Sequence, residues 1–299
     1  MQGKLIKFLK FLALVVLYFV LFSVISATVL PRLQQPPAEN EPFSALSALL
    51  IMSVLNTALL TYIALRSRWS GWKLMVTIAI VFFGVSTLMP QIETAVFVRT
   101  LPPGFLSRLF LAGFLFSFLY APLLVLLLGK KRQIEFTAPI VRMSSSEWIL
   151  RLSSAAIIYV VLYFTFGYFV AWQSAAVRAY YGGGNSSGFL TQLYETWRTT
   201  PWLFPFQFLR GLLWTILVLP IIRMLNGKRF EKAVVIGFLL AVVTSQLLLP
   251  NPLMPYEVRM RHLVETASSN FLFGCLVVWL LNSKHAETHN KLRAHSAAH

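Results

Sequence analysis

Residues 8–30 read FLKFLALVVLYFVLFSVISATVL, an apolar run with a single charge, at Lys10. An α-helix rises 1.5 Å per residue, so about 20 apolar residues cross the hydrocarbon core of a bilayer. Lys4, Lys7 and Lys10 at its start imitate the basic end of a signal peptide. A secretory core is only about 7–15 residues long, and Ile25-Ser26-Ala27 is a poor small-x-small cleavage site. The run therefore reads as a retained membrane anchor and first span.

Seven more runs of this kind follow, at 43–65, 74–90, 109–129, 149–171, 201–222, 233–250 and 266–282. Hydrophobic residues make up 57% of the 299 positions and charged residues only 12%, which excludes an ordinary soluble globule. Lipid offers no partner to backbone polar groups, so spanning segments must be helices or closed barrels. A barrel needs alternating strands of about ten residues, and no such alternation is visible. The expectation is an all-α integral membrane protein, a polytopic bundle of eight transmembrane helices forming one membrane domain over 1–299. Residues 284–299 read as a flexible tail.

Orientation follows from the cations. With the N-terminus inside, all ten lysines fall on the cytoplasmic side with eight arginines, and seven arginines fall outside. Both termini are then cytoplasmic, in the plasma (inner) membrane of a bacterium or archaeon. Trp69, Trp72 and Trp148 lie near the inner interface and Trp172, Trp197 and Trp202 near the outer one, as aromatic belts do. The net charge of +16 sits mostly in the short inner loops. Topology and anionic lipid account for it, and nucleic acid is not expected as a partner. Cys275 is the one cysteine, so no intrachain disulfide can form.

A short phrase occurs twice: Ile92-Glu93-Thr94-Ala95 and Val264-Glu265-Thr266-Ala267, after Leu88-Met89-Pro90 and Leu253-Met254-Pro255. The ten acidic residues are all Glu, so two in a repeated setting at the bilayer edge call for a reason. They suggest two related four-helix halves, 1–132 and 145–283, in parallel orientation, with one carboxylate from each at corresponding places. The copies differ in spacing, because Pro90 precedes Glu93 by three residues and Pro255 precedes Glu265 by ten. Glu93 and Glu265 should then approach each other near the outer surface, within about 10 Å, close enough for one water or ion to bridge them.

His262 is the only histidine before the C-terminal tail, and it is i,i+3 to Glu265. An imidazole and a carboxylate at that spacing can share a divalent metal, and Glu93 would be its third ligand. The alternative is a charge-paired helix start, with Arg261 i,i+4 to both Glu257 and Glu265. Arg210 lies about 13 Å of helix beyond Pro201, near mid-bilayer, with Gln207 one turn before it. A charge at that depth faces an interior partner or a wet cavity, and Glu93 and Glu265 are its candidate partners. The outer cations are all Arg; Arg99, Arg259 and Arg261 lie close in sequence to the two phrases, and their forks suit phosphate or carboxylate. The long outer loop holds Tyr180-Tyr181-Gly182-Gly183-Gly184, a connector or hinge, flanked by two short interfacial helices near 173–178 and 189–197.

Three functions fit these residues. The leading one is binding or translocation of a small anionic or amphipathic molecule in an outward-facing cavity between the halves. Arg210 and Arg259 would hold the negative charge there, and Glu93 and Glu265 would act as counter-charges or proton carriers. The second is an intramembrane metal-dependent hydrolase or transferase using Glu93, His262 and Glu265. The third is a structural or assembly subunit of a membrane complex.

Overall fold

The computed structural model describes residues 2–31, 43–98, 101–130, 143–184 and 187–281. Arg32, Arg99, residues 131–142, Asn185, Ser186 and residues 284–299, on which parts of the sequence reading rest, lie outside the described residues. Among the described residues, eight helical segments are long and apolar enough to cross a bilayer, and no strand is present. The chain is an all-α polytopic membrane protein. Large apolar side chains stay exposed on its outside: Leu12, Val16, Val20 and Val24 form an exposed i,i+4 stripe along the first span, α1 (Gln2–Val29). Lipid is the partner that such a stripe requires.

The second span is α2 (Ala45–Arg66), and the fourth is α5 (Phe105–Leu127). The third span departs from the reading at its end. Its first part is α3 (Gly71–Phe83), then comes a wide π turn at Gly84–Leu88, and then α4 (Met89–Phe97). Proline lacks an N–H and clashes with the carbonyl four residues back, which ordinarily ends a helix. In the wide turn Met89 N–H bonds to Gly84 O, five residues back, so Pro90 enters the first turn of α4 without stopping the chain. Glu93 consequently rides on an extension of the third span.

The fifth span is α6 (Ser145–Phe166) with a second π turn (Gly167–Ala171), the sixth is α9 (Leu203–Met224), and the seventh is α10 (Arg229–Val242) ending in a 3-10 segment (Val243–Leu248). Between the fifth and sixth lie two short helices, α7 (Ala175–Tyr180) and α8 (Phe189–Thr199). The eighth span, α11 (Tyr256–Leu281), starts ten residues before the apolar run does. Pro255 stands just before its first turn, where a missing N–H costs nothing, and its carbonyl accepts from Arg259 N at 3.0 Å. Glu265 therefore lies more than two turns inside the eighth span. The two Glu phrases do not occupy equivalent places: one is on the third span and the other on the eighth.

The packing partners follow a pattern. The first span packs on the second and fourth, as the fifth packs on the sixth and eighth. The third packs on the fourth as the seventh does on the eighth, and the second meets the seventh as the third meets the sixth. The C-terminal ends of α2 and α9 exchange reciprocal backbone bonds, Arg68 N to Met224 O at 2.8 Å and Asn226 N to Arg66 O at 2.9 Å, around the bridged pair Ser67 and Leu225. Within the first four spans, the rings of Tyr18, Phe22, Phe82, Phe116 and Tyr120 interlock, mostly edge to face, and fill the interior. Among the last four spans the interior is open.

Candidate functional site

That opening is a cavity of about 950 Å³ bounded by α4, α6, α7, α8, α9, α11 and the 3-10 end of the seventh span. It lies mainly within the last four spans, with α4 as the one wall from the first four. The sequence reading placed it between the halves. Its charged and imidazole side chains are Glu93, Arg210, His262 and Glu265, all read as candidates from sequence. Around them stand the phenols of Tyr159 and Tyr163, which were not anticipated, and that of Tyr181 from the loop read as a connector or hinge.

Arg210 is almost fully buried on α9. Its Nη1 donates to Glu93 Oε1 and, at 2.8 Å, to Gln207 Oε1, so Gln207, one turn earlier on α9, braces the guanidinium that receives the carboxylate of α4. The guanidinium carbon lies 5.7 Å from the ring of Tyr159 and 5.8 Å from that of Phe206. Those faces add a weak cation–π attraction. Arg210 Nε and Gln207 Nε2 are buried without a hydrogen-bond partner among the described residues.

The second cluster belongs to α11. His262 Nδ1 lies 2.9 Å from Glu265 Oε2, and His262 Nε2 lies 3.1 Å from the Tyr181 hydroxyl. Burial first, then the charges of Glu93, the neighbouring phenol of Tyr180 and the charge of Glu265, push the Tyr181 phenol well above its usual range, so it stays protonated. A carboxylate only accepts, so Nδ1–H donates to Glu265, and in the neutral ring Nε2 accepts from the Tyr181 hydroxyl. Tyr181 is held in place by the glycines after it. Gly182 has φ +74°, and a Cβ at Gly183 would lie 2.7 Å from the Trp172 ring. Gly183 N–H also bonds to Arg178 O at 2.7 Å, closing α7. The described part of the glycine run is thus a helix-ending turn that aims Tyr181 at His262.

Other expectations need correction. Among the described residues, no three His, Cys, Asp or Glu side chains converge as a metal would require. Glu93 is drawn to Arg210 and leaves His262 and Glu265 as a pair, so the ligand set Glu93, His262, Glu265 is not assembled. Among the described residues Arg261 forms neither of the expected i,i+4 ion pairs, and Glu265 bonds to His262 instead. Arg259 is not on the cavity wall. It is fully buried, and it donates from Nε to Met254 O at 3.2 Å and from Nη1 to Leu247 O at 3.0 Å and Leu249 O at 2.5 Å. It ties the break between the seventh and eighth spans to α11, satisfying carbonyls that the prolines leave without helical donors.

Comparison of the chain with protein-family models, with curated proteins and with solved structures finds no significant match in any of the three.

Proposed function

We propose that this chain binds or translocates a small amphipathic molecule, held in the cavity at the membrane face opposite the chain termini. The observation that carries the reading is a cluster of four side chains from three helices. Glu93, Arg210, His262 and Glu265 gather in a chamber lined by many aromatic rings, inside a bundle where charge is costly. A polar head would sit at that cluster and an apolar portion against the rings. The charge balance revises the expected ligand. Two carboxylates face one guanidinium, and the guanidinium already bonds to Glu93. A purely anionic ligand is disfavoured, and a neutral or cationic head with hydrogen-bond donors is preferred. Glu93 and Glu265 serve as its counter-charges.

The matched packing of the two sets of four spans and the reciprocal bonds at Ser67 and Leu225 support a chain of two parallel four-helix halves. In this reading the first half has filled its interior with rings, and the second has kept it open. The lysine distribution supports cytoplasmic termini and an outward-facing cavity. An alkaline phosphatase fused after Gly184 should accordingly be active, and one fused after Lys131 inactive. The reverse result would turn the cavity toward the cytoplasm.

Binding is tested by titrating the protein in lipid nanodiscs with octylamine and with octanoate and following tryptophan fluorescence, since Trp172, Trp202 and Trp214 line the cavity. Octylamine should give a saturable change and octanoate none, and Glu265→Gln should weaken octylamine about tenfold, the loss of one charge-assisted contact. Equal responses to both probes, or no effect of Glu265→Gln, would remove the proposed role of the cluster. A second reading rests on His262: an imidazole oriented by Glu265, with Nε2 paired to the Tyr181 hydroxyl at the cavity, is a general-base arrangement for a ligand hydroxyl that displaces that phenol. A binder tolerates His262→Gln with a modest loss of affinity, whereas a base-catalysed transferase or hydrolase would lose all turnover.

A further inference from the structure

The helix α8 (Phe189–Thr199) has three faces. Phe189, Gln192, Leu193, Thr196 and the adjoining Thr200, spaced three or four residues apart, are half-buried and all line the cavity. A second face, Leu190, Tyr194 and Trp197, is apolar and stands 75%, 61% and 57% exposed. The third, Thr191, Glu195 and Arg198, is polar and exposed. A helix with adjoining apolar and polar faces lies in the membrane interface, with one face in acyl chains and the other in water. Its position fits, because it joins the ends of the fifth and sixth spans on the face opposite the termini. The third face makes it unusual: α8 is the partition between bilayer and cavity.

That partition is lightly held. Among the helices, α8 packs chiefly on α9, the one that follows it in the chain. The side-chain hydrogen bonds within α8 all stay local, Ser187 with Gln192 at 3.3 Å, Thr196 to Gln192 O at 2.8 Å and Thr199 to Glu195 O at 2.8 Å. Just before the helix, the Tyr168 hydroxyl of the fifth span donates to Ser187 O at 2.6 Å. Ring contacts hold its ends as well, Phe189 with Tyr168 and Phe169, and Trp197 with Phe204. Few buried contacts and local hydrogen bonding mark an element that opens at low cost.

We propose that α8 is a lateral gate, and that the cavity takes its ligand from the adjacent bilayer leaflet, so that the ligand is a lipid or lipid-like amphiphile. This rests on the cavity being a ligand site, and it adds the route and the class. The test is photocross-linking of the full chain in phospholipid nanodiscs, with p-benzoylphenylalanine replacing Leu190, Leu193, Thr196 or Trp197 one at a time. Positions 190 and 197 report embedding, and positions 193 and 196 report the cavity side. The expected result is a mass increase equal to one disc phospholipid at all four, at comparable yield. Adducts at 190 and 197 only would overturn the gate, because α8 would then seal the cavity from lipid. Absence at 190 and 197 would overturn its placement in the interface. The octylamine titration separates the two claims. Saturable binding without cavity-side adducts leaves the ligand site and removes the gate. Cavity-side adducts without octylamine binding keep the lipid route and remove the proposed head-group cluster.

Discussion

Gly274→Ala should lower stability by about 3 kcal/mol, the upper end of overpacking costs, and Gly274→Leu should leave no folded protein. Gly274 on α11 faces Gly237 on α10, where the seventh and eighth spans touch backbone to backbone. A Cβ at Gly274 would lie 2.7 Å from Ile236 O and 2.8 Å from both Gly237 Cα and Gly237 N. Van der Waals contact for such atoms begins near 3.4 Å, and backbone cannot turn aside as a side chain can. The spans must separate, and in lipid no hydrophobic force draws them together again, since helix association there rests on close packing of small residues. Gly84 makes the contrast. Its Cβ would come nearer still, 2.5 Å, but to the Leu217 Cδ2 methyl, which can adopt another rotamer. Gly84→Ala should therefore cost less than Gly274→Ala despite the shorter distance. Thermal melts in detergent rank the variants, and a Gly274→Leu protein that melts with the parent would refute the backbone contact. The consequence reaches the site, because α11 also carries His262 and Glu265, and a displaced α11 moves both away from Tyr181.

The ease of reading this chain differs from residue to residue for physical reasons. Span number was legible because lipid demands about 20 apolar residues per crossing, whatever packs against them. Arg210, Glu93, His262 and Glu265 were legible because charge in apolar surroundings stands out and calls for a partner. α8 was legible in outline, since a stretch mixing apolar and polar residues between two spans fits an interfacial helix. What the chain concealed was local backbone geometry. Pro90 reads as a stop, and only the wide turn at Gly84–Leu88 lets α4 continue and carry Glu93 to Arg210. The repeated Glu phrase pointed to two residues on one cavity, but for a reason other than symmetry, since they lie on non-equivalent spans. Arg259 looked like Arg210 in sequence, because nothing there shows that its acceptors are the carbonyls of Leu247, Leu249 and Met254. Tyr159 and Tyr163 were hidden among the many aromatic residues of the chain.

Glu93→Ala should destabilise the protein more than Arg210→Leu does, although the two residues share one ion pair. Arg210 is only 4% exposed, with Nε already lacking a partner, whereas the Glu93 side chain is 37% exposed to the cavity. Removing Glu93 leaves a guanidinium in low dielectric with only Gln207 and the faces of Tyr159 and Phe206 to receive it. Breaking a buried pair from that side costs about 3 kcal/mol or more. Removing Arg210 leaves a carboxylate that cavity water can solvate or that can take up a proton, so the cost falls toward the surface-pair value of about 1 kcal/mol. The double variant Arg210→Leu with Glu93→Ala removes both charges together and should melt close to the parent, above either single variant. Melting curves on the three proteins test this order, and a Glu93→Ala protein as stable as the parent would show that the pair holds nothing together. The same double variant divides lock from ligand site. If it melts normally and still binds octylamine, the pair only fastens α4 to α9. If it melts normally and binds nothing, then Glu93 and Arg210 meet the ligand's head group, and the extension of the third span past Pro90 exists to bring that carboxylate into the chamber.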